Sequence, residues 1–209
     1  MVSYPDPSNE IACLSVRYSL PMWMVEKWIS VYGKETVEKM GKAFLEERPV
    51  TVRRNTAVVS KEEFEKELEK DGVVYRRHPV LPYAYELTNY DYLAGLLSFQ
   101  KGYFYIQDIS SMQVAEWAEP KEGDYVIDVC AAPGGKAIHL AEKLSGTGYV
   151  EARDLTEYKV ALIEENIERS GLDNIEAVCQ DATINDEASY EKADILIARS
   201  SVFRTWNSW

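Results

Sequence analysis

The chain has 209 residues, of which 46% are hydrophobic and 28% are charged, a composition typical of a soluble globular protein. Its formal net charge of −12 argues against a general polyanion-binding protein, because neutralisation of phosphates dominates nucleic-acid affinity. Residues 1–117 hold 14 Lys and Arg against 17 Asp and Glu, whereas residues 118–209 hold 9 against 18, so the first part is the better candidate for nucleic-acid contact.

The sequence also excludes several classes of protein. No apolar run approaches the roughly 20 residues that span a bilayer, so no membrane partner is expected. The three cysteines, Cys13, Cys130 and Cys179, are odd in number and far apart, which indicates a reducing, cytoplasmic compartment rather than a disulfide framework. The absence of a CxxC pair or a histidine cluster predicts that the chain holds no structural metal.

The first 117 residues are predicted to contain two segments. Residues 1–48 form a helical linker segment, since apolar residues recur at helical spacing before and after Gly33. Residues 49–117 form a small α+β module that starts with a strand over Val50–Thr56. Ser60 and Glu63 have the spacing of a capping box, which predicts a helix that ends near Lys70.

From residue 125 onward, apolar strands alternate with amphipathic helices. The order is strand, helix, strand, helix, strand and strand, which predicts a parallel sheet with helical crossovers. Ligands of such sheets bind beyond the carboxyl ends of the strands. The turn after the first of these strands lies at that position and consists of Cys130, Ala131, Ala132, Pro133, Gly134, Gly135 and Lys136.

This turn is suited to a ligand, but it is not a phosphate-binding P-loop. Gly134 and Gly135 allow close approach of the backbone, and the following helix directs its amino end at the site. A P-loop needs GxxxxGK[ST], whereas Cys130 takes the place of the first glycine and Ala137 that of the hydroxyl residue. The dinucleotide pattern GxGxxG is also absent, which disfavours a nicotinamide-dependent oxidoreductase.

Two acidic residues follow the next two strands. Asp154 ends the second strand and is placed to accept hydrogen bonds from ribose hydroxyls, and Asp181 follows the third strand and is placed to accept one from an adenine amine. Each could instead be a solvated residue at a strand end. Nicotinamide and adenosylmethionine sites share the first of these acids, so it does not distinguish them.

The segment DVCAAPGGK resembles the Sun (NOL/Nop/Sun, or Fmu) family of RNA 5-methylcytosine methyltransferases, and the bacterial enzymes that act on 16S ribosomal RNA in particular. LSVRYSLPMWMVEKW, RPVTVRRNT, FYIQDISSM, ARDLTEYKVALIEENIERSGL and QDAT resemble further family segments in the same order. The resemblance implies a class I (Rossmann-like) α/β core in residues 118–209, preceded by the small α+β RNA-binding module and the N-terminal helices. It also implies S-adenosylmethionine as cofactor and transfer of its methyl group to C5 of cytosine in RNA, with 16S rRNA as the expected partner.

The resemblance assigns roles to particular residues. Residues 130–136, Asp154 and Asp181 are expected to line the S-adenosylmethionine site. Arg53 and Asn55 fall on family positions that are expected to contact RNA. For Arg53 and its neighbour Arg54, the alternative is that they are solvated strand residues. Cys130 is a candidate nucleophile, but a small buried residue beside the cofactor is the favoured interpretation, because no neighbour in the sequence would activate the thiol.

The chain departs from the family in its last residues. The family carries Asp-x-Pro-Cys-Ser-Gly after the fourth strand and a Thr-Cys pair further on, and neither catalytic cysteine is present here. We interpret residues 199–209 as the product of a one-nucleotide frameshift, since a shifted frame can encode the missing motif. The expected core therefore stops after the fourth strand and is inactive by itself. The alternative is a non-catalytic remnant that binds S-adenosylmethionine or RNA.

Overall fold

A computed structural model of the chain describes residues 4–46 and 48–198. The chain forms two compact units, residues 1–48 and residues 49–209. Among the helices of the described ranges, none is both long and apolar enough to cross a membrane. Residues 199–209, to which the frameshift hypothesis applies, lie outside the described residues.

The first unit is a cluster of three helices. In chain order they are α1 (Glu10–Tyr18), α2 (Met22–Tyr32) and α3 (Lys34–Leu45). Their apolar faces meet in a small core of Leu14, Tyr18, Val25 and Val37. Gly41 lets α3 approach the Tyr18 ring, because a Cβ at this glycine would lie under 3.0 Å from ring atoms. The helical prediction for this segment is confirmed.

The second unit begins with an antiparallel sheet in the order β2-β3-β1-β4, and we call residues 49–107 the antiparallel module. Its elements are β1 (Val50–Arg54), α4 (Lys61–Lys70), β2 (Val74–Arg77), β3 (Ala84–Thr88), the short α5 (Leu97–Gln100) and β4 (Phe104–Ile106). Ser60 and Glu63 form the predicted capping box at the start of α4. The Phe64 ring of α4 packs edge-on against Tyr85 of β3, so α4 covers one face of this sheet.

The first strand of the module is shorter than the sequence predicted. β1 ends at Arg54, whereas the expected strand ran to Thr56. The chain leaves the sheet there because the Asn55 side chain accepts a hydrogen bond from Ala57 N at 3.1 Å, which forms a local turn.

The rest of the second unit is the predicted parallel sheet, in the order β7-β6-β5-β8. Its elements are α6 (Ile109–Ala118), β5 (Tyr125–Asp128), α7 (Gly135–Lys143), β6 (Tyr149–Asp154), α8 (Glu157–Ser170), β7 (Ile175–Cys179) and β8 (Ile195–Ile197). The chain moves outward from β5 to β7 and then returns to place β8 on the other side of β5. This reversal of strand order puts a ligand crevice beyond the carboxyl end of β5.

Candidate functional site

Residues 130–136 connect β5 to α7 at the carboxyl end of the parallel sheet, and we call them the glycine turn. Ala131 N donates to Arg153 O at 2.9 Å, which holds the turn against β6. Gly134 has a φ of +102°, and the side chains of Ile138 and Ile163 would lie 3.4 Å from an added Cβ. This position therefore favours glycine. Because α7 begins at the next residue, the free N–H groups of its amino end lie beside the turn.

Asp154 lies against the glycine turn with its side chain almost fully buried. Its carboxylate accepts hydrogen bonds from Ala132 N at 3.1 Å, Leu155 N at 2.8 Å and Lys159 Nζ at 2.6 Å. Burial alone would raise the pKa of Asp154, but the hydrogen bonds from Lys159 and the two backbone N–H groups outweigh it and lower the pKa. The fold therefore brings an ionised carboxylate next to the turn.

Asp181 lies at the same edge of the sheet. Asp154 pairs with Cys179 in the register of β6 with β7, and Asp181 follows two residues later. Its Oδ1 accepts hydrogen bonds from Thr183 N at 2.8 Å and Thr183 Oγ1 at 2.7 Å, and these bonds lower its pKa. The turn and the two acids thus lie at the carboxyl ends of three neighbouring strands.

Asp128 is a further acidic residue at this edge, and sequence reasoning missed it. It ends β5, is fully buried, and its Oδ1 accepts a hydrogen bond from Cys130 N at 3.2 Å. Among the described residues its Oδ2 has no hydrogen-bond partner. Burial raises the pKa of Asp128, and the Lys136 charge opposes that shift. The rule that selected Asp154, an acid at the end of a parallel strand, would also have selected Asp128.

A cavity of about 370 Å³ lies between the glycine turn and the antiparallel module. The turn contributes Ala131, Pro133, Gly135 and Lys136, and the other lining residues are Val50, Thr51, Ile106, Gln107, Asp108 and Ser111. One wall thus comes from the start of α7 and the other from β1, β4 and the start of α6. A ligand on the turn would meet groups from both sheets.

Comparison with known proteins identifies the family. A model described as 16S rRNA methyltransferase RsmB/F matches residues 115–198, and one described as an RsmF/B-like, ferredoxin-like domain matches residues 20–91. The probable ribosomal RNA small subunit methyltransferase B of Bacillus subtilis (strain 168) is 37% identical over 180 residues. The chain belongs to the Sun/Fmu family of RNA methyltransferases. The family and the α/β methyltransferase fold expected from the sequence are confirmed.

The chain matches only part of its Sun/Fmu relatives. It covers 40% of the Bacillus protein, with 86% of this chain aligned. The tRNA (cytosine(72)-C(5))-methyltransferase of Pyrococcus horikoshii is 46% identical over 90 residues, which are 43% of this chain and 23% of that protein. The crystal structure of NSun6 from Pyrococcus horikoshii with SFG has a TM-score of 0.64 at 26% identity, over 75% of this chain and 64% of that one.

The side chains of Arg53 and Asn55 are fully buried, so their burial does not support the RNA contact that the Sun/Fmu resemblance implied, and that role stays a prediction. Arg53 forms an ion pair with Glu142 of α7 and donates to Gln107 Oε1 at 2.6 Å. Asn55 Nδ2 donates to Gly102 O and to Ser170 O, each at 3.0 Å. These two residues join the antiparallel module to the parallel sheet.

Cys130 is half-buried at the start of the glycine turn. Its backbone N–H donates to Asp128 Oδ1, so it helps to hold the buried carboxyl group that ends β5. The favoured interpretation of Cys130 as a small residue beside the ligand therefore remains a prediction. Lys136 is half-buried and lines the cavity, where its charge partly opposes the rise in the pKa of Asp128 that burial causes.

Proposed function

We propose that this chain binds S-adenosylmethionine at the carboxyl edge of its parallel sheet and belongs to an enzyme that methylates C5 of cytosine in small-subunit ribosomal RNA. The observation that carries the proposal is the Asp154 carboxylate, ionised and hydrogen-bonded to Ala132 N of the glycine turn. This arrangement offers an acceptor for ribose hydroxyls directly beside a turn that lets a ligand approach the backbone.

The residues at this edge fit the chemical groups of the methyl donor. A carboxylate has about four acceptor positions, and Asp154 uses three of them. One accepts from the partly exposed Lys159 ammonium, which a ribose hydroxyl could replace. The amino end of α7 favours the carboxylate of the amino-acid end. The unpartnered Oδ2 of Asp128 is a suitable acceptor for its ammonium, and Asp181 is a suitable acceptor for the adenine amine.

The bound donor would supply a methyl group on a positively charged sulfur, ready for attack by a nucleophilic carbon. The residues described here bind and orient that donor. In the Sun/Fmu family, attack on the cytosine needs a cysteine thiolate, and the cysteines of this sequence lie at positions 13, 130 and 179, outside the Pro-Cys and Thr-Cys patterns. We therefore expect these 209 residues alone to bind the cofactor without turnover.

Small-subunit ribosomal RNA is the proposed target because of where the relatives align. The Bacillus relative, named for ribosomal RNA, aligns with 86% of this chain. The Pyrococcus relative, named for tRNA, aligns with 43%. The longer alignment is with the relative named for ribosomal RNA, and it supports the ribosomal target.

Calorimetric titration with S-adenosylhomocysteine tests the cofactor site. We expect the wild-type protein to bind S-adenosylhomocysteine and not to bind NAD. The variant Asp154→Asn should weaken binding by about tenfold or more, because a hydrogen bond to a charged group is lost. Asp173→Asn is the matched control, since Asp173 is exposed and away from the turn. Equal binding by both variants, or binding of NAD instead, would reject the proposal.

Turnover is tested separately with radiolabelled S-adenosylmethionine and undermethylated 16S rRNA. We expect no transfer of label to RNA by these 209 residues, and transfer once the missing cysteine motifs are supplied by a longer chain. Label found on tRNA instead of 16S rRNA in the second case would contradict the ribosomal assignment. Label transfer by the 209 residues alone would contradict the proposed need for those motifs.

A further inference from the structure

Arg53 is a fully buried cation of the second unit. It lies on β1, where Val52 before it packs into the core of the antiparallel module. Because successive side chains of a strand point to opposite faces, Arg53 points away from that core and towards α7. Its guanidinium is fully buried and lies 4.8 Å from the centre of the Tyr105 ring.

The guanidinium contacts three separate segments. Nε donates to Gln107 Oε1 at 2.6 Å, Nη2 donates to Gly135 O at 3.4 Å, and Nη1 forms the ion pair with Glu142. Gln107 precedes α6, Gly135 belongs to the glycine turn and begins α7, and Glu142 lies near the end of α7. A rigid fork of N–H donors can hold all three in a fixed arrangement, whereas a single ammonium cannot.

Two of these contacts bear on the candidate ligand cavity. Gln107 and Gly135 both line it and lie next to each other, since Gln107 Cδ is 3.9 Å from the place where a Cβ of Gly135 would stand. Arginine only donates hydrogen bonds, so the Gln107 oxygen must face Arg53 and its amide nitrogen must point elsewhere. Arg53 thereby holds the Gln107 side chain in the cavity wall and determines which way its amide group faces.

We propose that Arg53 is a positioning residue for the methyl donor: acting from the antiparallel module through Gln107 and Gly135, it sets the part of the cavity that receives the donor's amino-acid end. This inference rests on the proposed function. Asp154 contacts the turn at Ala132, on the side of β6, whereas Arg53 contacts it at Gly135, on the side of the module. The nucleoside end and the amino-acid end of the ligand therefore depend on different residues.

Two ligands distinguish binding of the nucleoside end from binding of the amino-acid end. S-adenosylhomocysteine carries both, whereas 5′-methylthioadenosine keeps the nucleoside and the sulfur but has no amino-acid end. A purely structural role for Arg53 would weaken the binding of both probes by the same factor, because it would only reduce the folded fraction. A positioning role should lower the ratio of the two affinities, and that ratio is the quantity to measure.

The variants are chosen so that a loss of stability can be distinguished from a loss of positioning. Arg53→Met leaves Glu142 as a buried, unpaired carboxylate and is expected to be unstable, so the double variant Arg53→Met with Glu142→Met removes both charges together. Arg53→Lys keeps the charge beside Glu142 but loses the fork. Arg54→Lys is the matched control, since Arg54 is the next residue of β1 and donates to Val59 O instead of to the turn.

The experiment is calorimetric titration of the full chain with both probes, with the thermal midpoint of each variant recorded beside it. We expect the preference for S-adenosylhomocysteine over 5′-methylthioadenosine to fall at least about fivefold in Arg53→Lys and in the double variant, and to stay unchanged in Arg54→Lys. An unchanged preference in Arg53→Lys overturns the positioning role. Failure of the wild-type chain to bind either probe would instead overturn the proposed function.

Discussion

His139 is held neutral inside the second unit. It lies on α7 with an exposed fraction of 2%, and its ring packs edge-on against Tyr83 at 5.0 Å between centroids. Burial, together with the nearby charges of Arg53 and Lys143, lowers its pKa to about 2. The same guanidinium that is proposed to position the cavity wall thus also opposes protonation of the neighbouring imidazole.

This burial makes folding sensitive to mild acid. Below a pH of about 6.5 the unfolded chain takes up a proton on this histidine and the folded chain does not, so stability is lost as the pH falls. We expect the free energy of unfolding of wild type, relative to His139→Leu, to fall by about 1.4 kcal/mol between about pH 7.5 and 5.5. Urea denaturation at both pH values measures it, and parallel pH profiles of the two proteins would contradict it.

The role of a charged residue in this chain therefore depends on where its side chain is buried and on what lies beside it. Asp154 and Arg53 are both buried, yet Asp154 lies at a strand end beside an open turn, and Arg53 lies between two packed sheets. We propose that the first contacts the ligand and that the second acts only through its neighbours. Asp128 is the intermediate case, since it is fully buried but has a carboxyl oxygen without a partner among the described residues.

At the scale of elements, the loop before β4 packs against the end of α8. Gly102 has a φ of +69°, and an added Cβ would lie under 3.0 Å from the carbonyl oxygen of Arg169. The Arg169 guanidinium in turn donates to Phe104 O at 3.0 Å and lies over the rings of Phe99 and Tyr105. The backbone of this loop is therefore packed directly against the helix.

A pair of glycine variants isolates this contact. Gly72 has a similar φ of +72°, but nothing lies within 4 Å of its added Cβ. We expect Gly72→Ala to cost about 1 kcal/mol of stability for the left-handed backbone alone. Gly102→Ala should cost at least roughly 2 kcal/mol more, because α8 or the loop must move. Equal losses for the two variants in urea denaturation would show that this junction is compliant.

At the scale of the molecule, the antiparallel module and the parallel sheet share buried polar contacts. Arg53 pairs with Glu142, Asn55 donates to Ser170 O, and Arg169 donates to Phe104 O. Each contact would leave a buried polar group unsatisfied if the two sheets separated, which is costly in a low-dielectric interior. The two sheets are therefore expected to respond to a ligand together.

Hydrogen exchange tests this coupling. We expect S-adenosylhomocysteine to slow amide exchange in residues 50–54 and 104–107 of the module, as well as in residues 125–136 around the turn. Asp154→Asn, mixed with the same ligand concentration, is the control and should show little protection in either region. Protection confined to the parallel sheet would argue against a coupled response and would weaken the proposed role of Arg53.

Short sequence motifs alone predicted much of the secondary structure and sheet arrangement of this protein. The apolar strand before DVCAAPGGK, the glycine turn and the acids of the next two strands predicted the parallel sheet and its ligand edge. The capping box of α4 was predicted in the same way from Ser60 and Glu63. The parallel sheet and the capping box are confirmed, whereas ligand binding at this edge stays a proposal. Position along each strand is enough to bring the residues together, because the carboxyl ends of parallel strands meet at one edge.

Only the tertiary structure decided what Arg53 and Asn55 do. Both were predicted to lie on one strand, and in the structure Arg53 lies on β1 and Asn55 directly follows it. A residue on one face of a sheet contacts solvent, RNA or another layer depending on what covers that face. Here α7 and the end of α8 cover it, and residues 82 to 115 positions away in sequence supply the partners. Alternation along a strand specifies two faces, and long-range packing alone determines which of them is buried.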